Sequence, residues 1–347
     1  MRLLFFHSNT PDYLSAGLFH GLKEVLGNDC IDIPRFDCMY APLTDQVRSK
    51  IRGNGFSLYG LLDDQPEVIH ERFFIWQKNI STFDYYIVGD IWNSWEIYLK
   101  LVRTVPQEKI IIIDPSDNFR FYPFNNFFQN SIFIFFQYLF SDTKSVKYFK
   151  RELSNSLKDR TGLYFLPNFI QHWLLPKHVF RINFSFPKNK ISFIDTAFKN
   201  KNFTENIVDE ELVHHFPELQ LIPMGQESYK FTDENEYYID IQLSKFGITT
   251  KRSGWDCLRH YEYAANGAVL CFKNYQLKPN NCAPHGLNSS NCIFYKSPED
   301  LKKQIAELSV DKYNSLLENS YKWILNNTTI KVAKKFLNDI KSNAGQV

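Results

Sequence analysis

Short apolar runs alternate with segments of helical period along most of the chain. Arg2–Ser8 reads as a buried strand. Leu14, Leu18, Leu22, Val25 and Leu26 follow at helical spacing, which predicts a helix over Tyr13–Leu26 closed by Gly27-Asn28. Cys30–Ile33 is a second short strand, and strand–helix–strand order at this spacing implies a parallel sheet. Residues 35–80 are mixed, with Gly53, Gly55 and Gly60 in the middle and a helix expected over Glu67–Ile80. Tyr85–Asp90 is a strand ending in Gly-Asp, Trp92–Val102 a helix, and Lys109–Asp114 (KIIIID) an all-apolar strand that requires cover on both faces.

The second half repeats the rhythm. Residues 176–190 hold Pro176, Pro187 and several cations and are the expected linker. Ile191–Ile194 is the expected first strand beyond it, followed by a helix over Asp209–His215, a strand over Leu219–Pro223 and a helix from Tyr237 to Leu243. Ser244–Pro279 then reads as strand, basic loop, helix and strand, with the helix starting near Trp255 and ending at Asn266-Gly267. Lys278–Cys292 is loop-like, and helices follow over Leu301–Leu308, Asp311–Leu325 and Thr328–Ile340. The expected organisation is α/β, with two Rossmann-like domains facing across a cleft: residues 1–175, a linker at 176–190, residues 191–325, and a C-terminal helix in 326–347 returning to the first domain.

Composition narrows the function. Forty basic and 38 acidic residues give a net charge of +2, which supplies no general attraction for nucleic acid. The first strand is not followed by G-x-G-x-x-G, so hydride transfer on a dinucleotide is disfavoured. The six cysteines contain no C-x-x-C, and Cys282, His285 and Cys292 have irregular ligand spacing, so free thiols are expected rather than a metal site. The N-terminus lacks a signal-peptide pattern, which gives a cytoplasmic expectation. Ser131–Phe140 (SIFIFFQYLF) is too short to span a bilayer; with Lys144, Lys147, Lys150 and Arg151 behind it, it is either core or a peripheral contact with the cytoplasmic face of the inner membrane.

Candidate chemistry concentrates at Thr250, Lys251, Arg252, Gly254, Trp255, Arg259, Glu262 and Gly267. A basic loop entering a helix N-terminus suits an anion. Arg259 and Glu262 share a helix face, guanidinium suiting phosphate and carboxylate suiting sugar hydroxyls. No D-x-D metal motif follows a strand, so Lys251, Arg252 and Arg259 are the expected neutralisers of a diphosphate, without a metal. Asp12, His7 and Asp90, at the ends of expected strands, are candidates for a base.

These residues carry a resemblance. Arg252, Gly254, Asp256, Arg259, Glu262 and Gly267 match R-x-G-x-D-x-x-R-x-x-E-x-x-x-x-G, and the stretch resembles the donor-binding segment of GT-B glycosyltransferases, similar to CgeB-like and group 1 enzymes and more loosely to exostosin-type ones. The Tyr148–Glu152 string (YFKRE) resembles the end of the N-terminal half in CgeB-like enzymes, which implies Lys150 and Arg151 as cleft residues. The resemblance implies transfer of a sugar from a UDP- or GDP-sugar to a glycan, lipid-linked or protein acceptor in bacterial surface polysaccharide (lipopolysaccharide or capsule) synthesis, with Glu262 on ribose or donor sugar and no further cofactor. The competing readings are a non-hydrolysing nucleotide-sugar epimerase and a non-catalytic module that binds sugar nucleotides.

Overall fold

The structure is a computed structural model and describes residues 1–8, 10–51, 55–69, 72, 75, 80–124, 145–207, 209–216, 220–221 and 230–342. The aromatic segment Ser131–Phe140 and most of the expected 67–80 helix lie outside these.

Six strands form the first sheet: β1 (Leu3–Phe6), β2 (Cys30–Ile33), β3 (Tyr85–Val88), β4 (Ile110–Asp114), β5 (Lys147–Lys150) and β6 (His178–Arg181). All neighbours pair in parallel, in the order β2-β1-β3-β4-β5-β6. Leu3 and Phe5 face one apolar layer while Leu4 and Phe6 face another, so the sheet is covered on both sides. Helix α1 (Tyr13–Leu26) connects β1 to β2, and α2 (Ile91–Thr104) follows β3. Because β2 and β3 lie on opposite sides of β1, the order reverses there. Open α/β sheets bind ligands beyond the carboxyl ends of the strands at such a switch point. Here those ends carry the loops that hold His7, Asp12 and Asp90.

The second sheet is also parallel, in the order β12-β11-β10-β7: β7 (Lys201–Phe203), β10 (Ser244–Thr250), β11 (Val269–Lys273) and β12 (Cys292–Tyr295). Two-residue strands β8 (Asn206–Ile207) and β9 (Gln220–Leu221) pair beside it. Helices α3 (Glu234–Leu243) and α4 (Leu258–Ala265) flank β10; α5 (Pro298–Ala306), α6 (Val310–Asn326) and α7 (Thr329–Lys341) close the chain.

Three expectations change. His178–Arg181, inside the expected linker, is the edge strand of the first sheet, bonded to β5. Ile191–Ile194 is not a strand: the Ser192 N–H donates to Ala265 O and the Ile194 N–H to the Tyr321 hydroxyl, so its backbone is satisfied by helix ends and a side chain, and Phe193 is 65% exposed. Only the 210–213 turn of the expected 209–215 helix is α-helical. Helix α7 lies against α1, where the Thr329 hydroxyl meets His20 Nδ1 at 2.9 Å, and reaches β3 and β5 through Ile340 O, which accepts from Tyr85 and Lys147. No helix among the described residues is long and apolar enough to cross a membrane.

Candidate functional site

β10 delivers the basic loop. It pairs along its length with β11, ends at Thr250 opposite Lys273, and leaves Lys251 and Arg252 exposed. Neither makes an ion pair with a carboxylate among the described residues; the Lys251 ammonium lies 5.6 Å from the Trp255 ring centroid. Trp255 is buried against Phe272, so its indole is part of the core and not an open stacking platform.

Helix α4 begins at Leu258, three residues later than expected, and its N-cap Cys257 makes no side-chain cap bond. The free N–H groups expected to receive an anion are already engaged. Glu152, fully buried on the first half, accepts from the backbone N–H of Trp255 at 2.8 Å and of Asp256 at 3.0 Å, while its other oxygen accepts from the Cys282 thiol at 2.6 Å. Gly254 permits this approach, since a Cβ there would stand 2.6 Å from Glu152 Oε1. Arg151 completes the joint by donating to Glu152, Asp117, Pro115 O and Asp256 O. Lys150 donates to Asp114 at 2.8 Å and Ser116 at 3.0 Å. Lys150 and Arg151 are therefore buried structural cations, not open residues of a cleft, and the N–H groups at the expected helix start, Trp255 and Asp256, are taken by the protein's own carboxylate just ahead of the observed N-cap Cys257. Cys282 and His285 do not form a metal cluster: no group of three or more metal-ligating side chains occurs among the described residues.

Glu262 faces the junction from α4. It is buried, and hydroxyls engage both oxygens: Ser57 donates to Oε1 at 2.5 Å and Tyr237 to Oε2 at 2.8 Å. Burial raises its pKa against the opposing effects of Ser57, Tyr237 and Arg259. Arg259 is half-buried and has no hydrogen-bonded or ion-pair partner among the described residues. Burial alone would lower its pKa; Cys257, Tyr263, Tyr237 and Glu262 outweigh that and raise it, so it stays cationic. Gly267 ends the helix region with φ +80°, a conformation that glycine takes at little cost. Sequence reading missed Ser57, Tyr237 and Glu152. Ser57 holds φ +71° beside Gly55, a turn signal that the glycine-rich stretch carried.

On the first half, Asp12 caps α1 by accepting from Ser15 N at 2.8 Å. Asp90 caps α2, accepting from Trp92 N at 3.1 Å and Asn93 at 2.6 Å. Burial, then the Asp90 charge, raises the Asp12 pKa to about 7; burial first also raises Asp90. The pair thus holds a proton near neutrality. Tyr13, beside Asp12, packs on Tyr59 at 6.0 Å and Phe184 at 6.2 Å, and Tyr59 is two residues from Ser57, which brings this edge toward Glu262. His7 is corrected as a base: its ring is stacked between Phe5 and Phe36 at 4.5 and 3.7 Å, both nitrogens are buried without hydrogen bonds, and burial lowers its pKa well below the usual value.

No protein-family model matches the chain, and no curated protein sequence matches it significantly. Solved structures do match along nearly the full length. Anabaena Alr3699/HepE in complex with UDP is 9% identical, with 98% of this chain and 100% of that chain covered and a TM-score of 0.55. A glycosyltransferase from Rickettsia africae ESF-5 is 12% identical over 99% of each chain, TM-score 0.52. Sucrose-phosphate synthase from Thermosynechococcus elongatus is 8% identical over 97% of this chain and 98% of that one, TM-score 0.53. The likeness, with the two parallel sheets, shows the fold: α/β, two Rossmann-like domains in the GT-B arrangement.

Proposed function

We propose that the protein is a glycosyltransferase that takes a sugar from a nucleotide diphosphate-sugar and passes it to an acceptor hydroxyl. The observation that carries this reading is the pairing, on one loop and helix, of unpaired cations with a buried carboxylate that already binds two hydroxyls. Lys251, Arg252 and Arg259 have no carboxylate partner among the described residues, and Glu262 accepts from Ser57 and Tyr237. Two vicinal hydroxyls of a ribose present the same donors to the same two oxygens. With Glu152 on the Trp255 and Asp256 N–H groups, the cations carry the charge of the leaving diphosphate, in the manner of electrostatic stabilisation in a preorganised site. The fold shared with Anabaena Alr3699/HepE, whose structure is a complex with UDP, supports a nucleotide-sugar ligand.

In the reaction, the acceptor oxygen forms a bond to the anomeric carbon, the bond to the diphosphate breaks, and the acceptor proton passes to Asp12, whose raised pKa suits a base near neutral pH. A glycan or lipid-linked acceptor of a bacterial surface polysaccharide, used on the cytoplasmic side, is the acceptor class we favour. Titration calorimetry with UDP and GDP tests the site. Binding to the wild type with a loss of about 1.5–3 kcal/mol in Glu262→Ala, the range for a hydrogen bond to a charged group, is expected. Absence of nucleotide binding in the wild type would remove the proposal. Release of UDP or GDP only when acceptor is present, and its persistence in a chelator, separates metal-independent transfer from epimerisation and from simple binding.

A further inference from the structure

A second concentration of charge lies away from the 250–262 loop. A cavity of 230 Å³ opens where the end of β6, the loop at His285 and the first turns of α7 meet. Arg181, Lys331 and Lys335 line it against one carboxylate, Asp339. Lys331 and Lys335 are exposed, and none of the three cations makes an ion pair within 4.0 Å among the described residues. Arg181 Nε and His285 Nε2 are buried with no hydrogen-bond partner. Buried polar groups are almost always paired, and an unpaired one costs about 1–3 kcal/mol or more when charged. His285 is held neutral, by burial first and then by Lys278, Arg181 and Lys335. A neutral imidazole protonated at Nε2 offers a donor there without adding charge.

Two buried donor atoms and two further cations converging on one space need an acceptor with several oxygens and negative charge. The volume is below the roughly 300 Å³ at which pockets for drug-sized ligands begin, which suits a small anion. We propose that this cavity binds a small phosphate-type oxyanion, with Arg181, His285, Lys331 and Lys335 as its ligands. Its place gives the anion a structural consequence. Arg181 ends the first sheet, His285 belongs to the second half, and the lysines stand on the returning helix, so one ligand ties all three. Asn183, on the same wall, precedes Phe184, whose N–H donates to Asp256 at 3.0 Å and whose ring lies 4.5 Å from the Arg151 guanidinium. The anion site therefore adjoins the joint that fixes the 252–256 loop.

Thermal unfolding with inorganic phosphate, against sodium chloride at equal ionic strength, tests the assignment, because a ligand specific to the folded state raises the melting temperature. The expected result is a saturable, phosphate-specific rise in the wild type. Its midpoint should shift tenfold or more to higher concentration in Arg181→Gln and in Lys335→Gln. Lys335 is exposed, so that variant remains informative if Arg181→Gln fails to fold. The Lys251→Gln/Arg252→Gln double variant should keep the phosphate response while losing affinity for UDP. No phosphate-specific rise in the wild type, a rise unchanged in both cavity variants, or a rise abolished in the loop double variant would each overturn the proposal. The last result would assign phosphate to the loop cluster instead. A UDP response that survives in Arg181→Gln while the phosphate response shifts places the nucleotide outside the cavity, as the proposal expects; a UDP response lost together with the phosphate response would overturn it.

Discussion

Asp12 and Asp90 cap neighbouring connections after neighbouring strands, so two carboxylates share the switch point of the first sheet. Their shared burial sets the pH dependence. Asp12 moves from an ordinary 3.8 to about 7 on folding, by burial first and then by Asp90. Between those values the folded chain holds a proton that the unfolded chain has released, so the contribution of Asp12 to stability is full below about 3.8 and is lost as pH rises through about 7. The base role has the opposite sense: the carboxylate form does the work, so kcat/KM should rise with pH through about 7 and level off. Asp12→Asn should lower kcat by about 10²–10⁴-fold, the usual share of general-base catalysis, and flatten that rise. The same variant should narrow the stability difference between pH 5 and pH 8 in urea unfolding. A rate profile unchanged in Asp12→Asn would assign the base elsewhere. At this scale the sequence shows charges but not their partners. Lys251, Arg252, Arg259 and Glu262 stand out by type and spacing, whereas the two hydroxyls on Glu262 come from positions 205 and 25 residues away, separations that no local pattern records.

The loop between β10 and α4 is held by one residue of another element. Glu152 follows β5 and takes both the Trp255 and Asp256 N–H groups, Arg151 and the Cys282 thiol. Removing it leaves two backbone donors and the Cys282 thiol without their acceptor and takes one of two carboxylates from the buried Arg151 guanidinium, which keeps Asp117 and two carbonyls; breaking a buried ion pair from one side costs at most about 3–5 kcal/mol. Glu152→Ala should lose stability of that order in equilibrium urea unfolding. Glu152→Gln, which keeps a carbonyl oxygen for the N–H groups, should lose less. Equal losses would mean that the charge, and not the backbone bonds, does the holding. Elements with their own strong pattern were legible: Tyr13–Leu26 and Cys30–Ile33 have the bounds that periodicity predicts. Ile191–Ile194 has strand composition, but it pairs with no strand among the described residues; Ala265 and Tyr321 accept from its Ser192 and Ile194 N–H groups instead. The start of α4 is displaced for a related reason. Glu152 holds the Trp255 and Asp256 N–H groups in the loop just before the helix, and a tertiary contact of that kind leaves no mark in the 252–258 string.

Across the whole molecule, α7 returns to pack on α1, and that contact depends on a glycine in the middle of a helix. A Cβ on Gly21 would lie 2.0 Å from Thr329 O and 2.9 Å from the Ala333 Cβ, closer than any real contact to a backbone atom. The neighbouring His20–Thr329 bond at 2.9 Å fixes the same register. On helix propensity alone Gly21→Ala should stabilise by about 1 kcal/mol. Overpacking a close contact costs about 1–3 kcal/mol, and here the obstacle is backbone, which cannot rotate away. The two effects oppose each other, and the 2.0 Å approach decides for overpacking. Gly21→Ala should therefore lower the urea midpoint. Since α7 also lines the phosphate cavity through Lys331 and Lys335, the substitution should weaken phosphate stabilisation at the same time. A rise in midpoint would show that α1 and α7 stand further apart than the geometry requires. A fall in midpoint with an unchanged phosphate response would mean that α7 shifts as a rigid body, carrying the cavity wall with it.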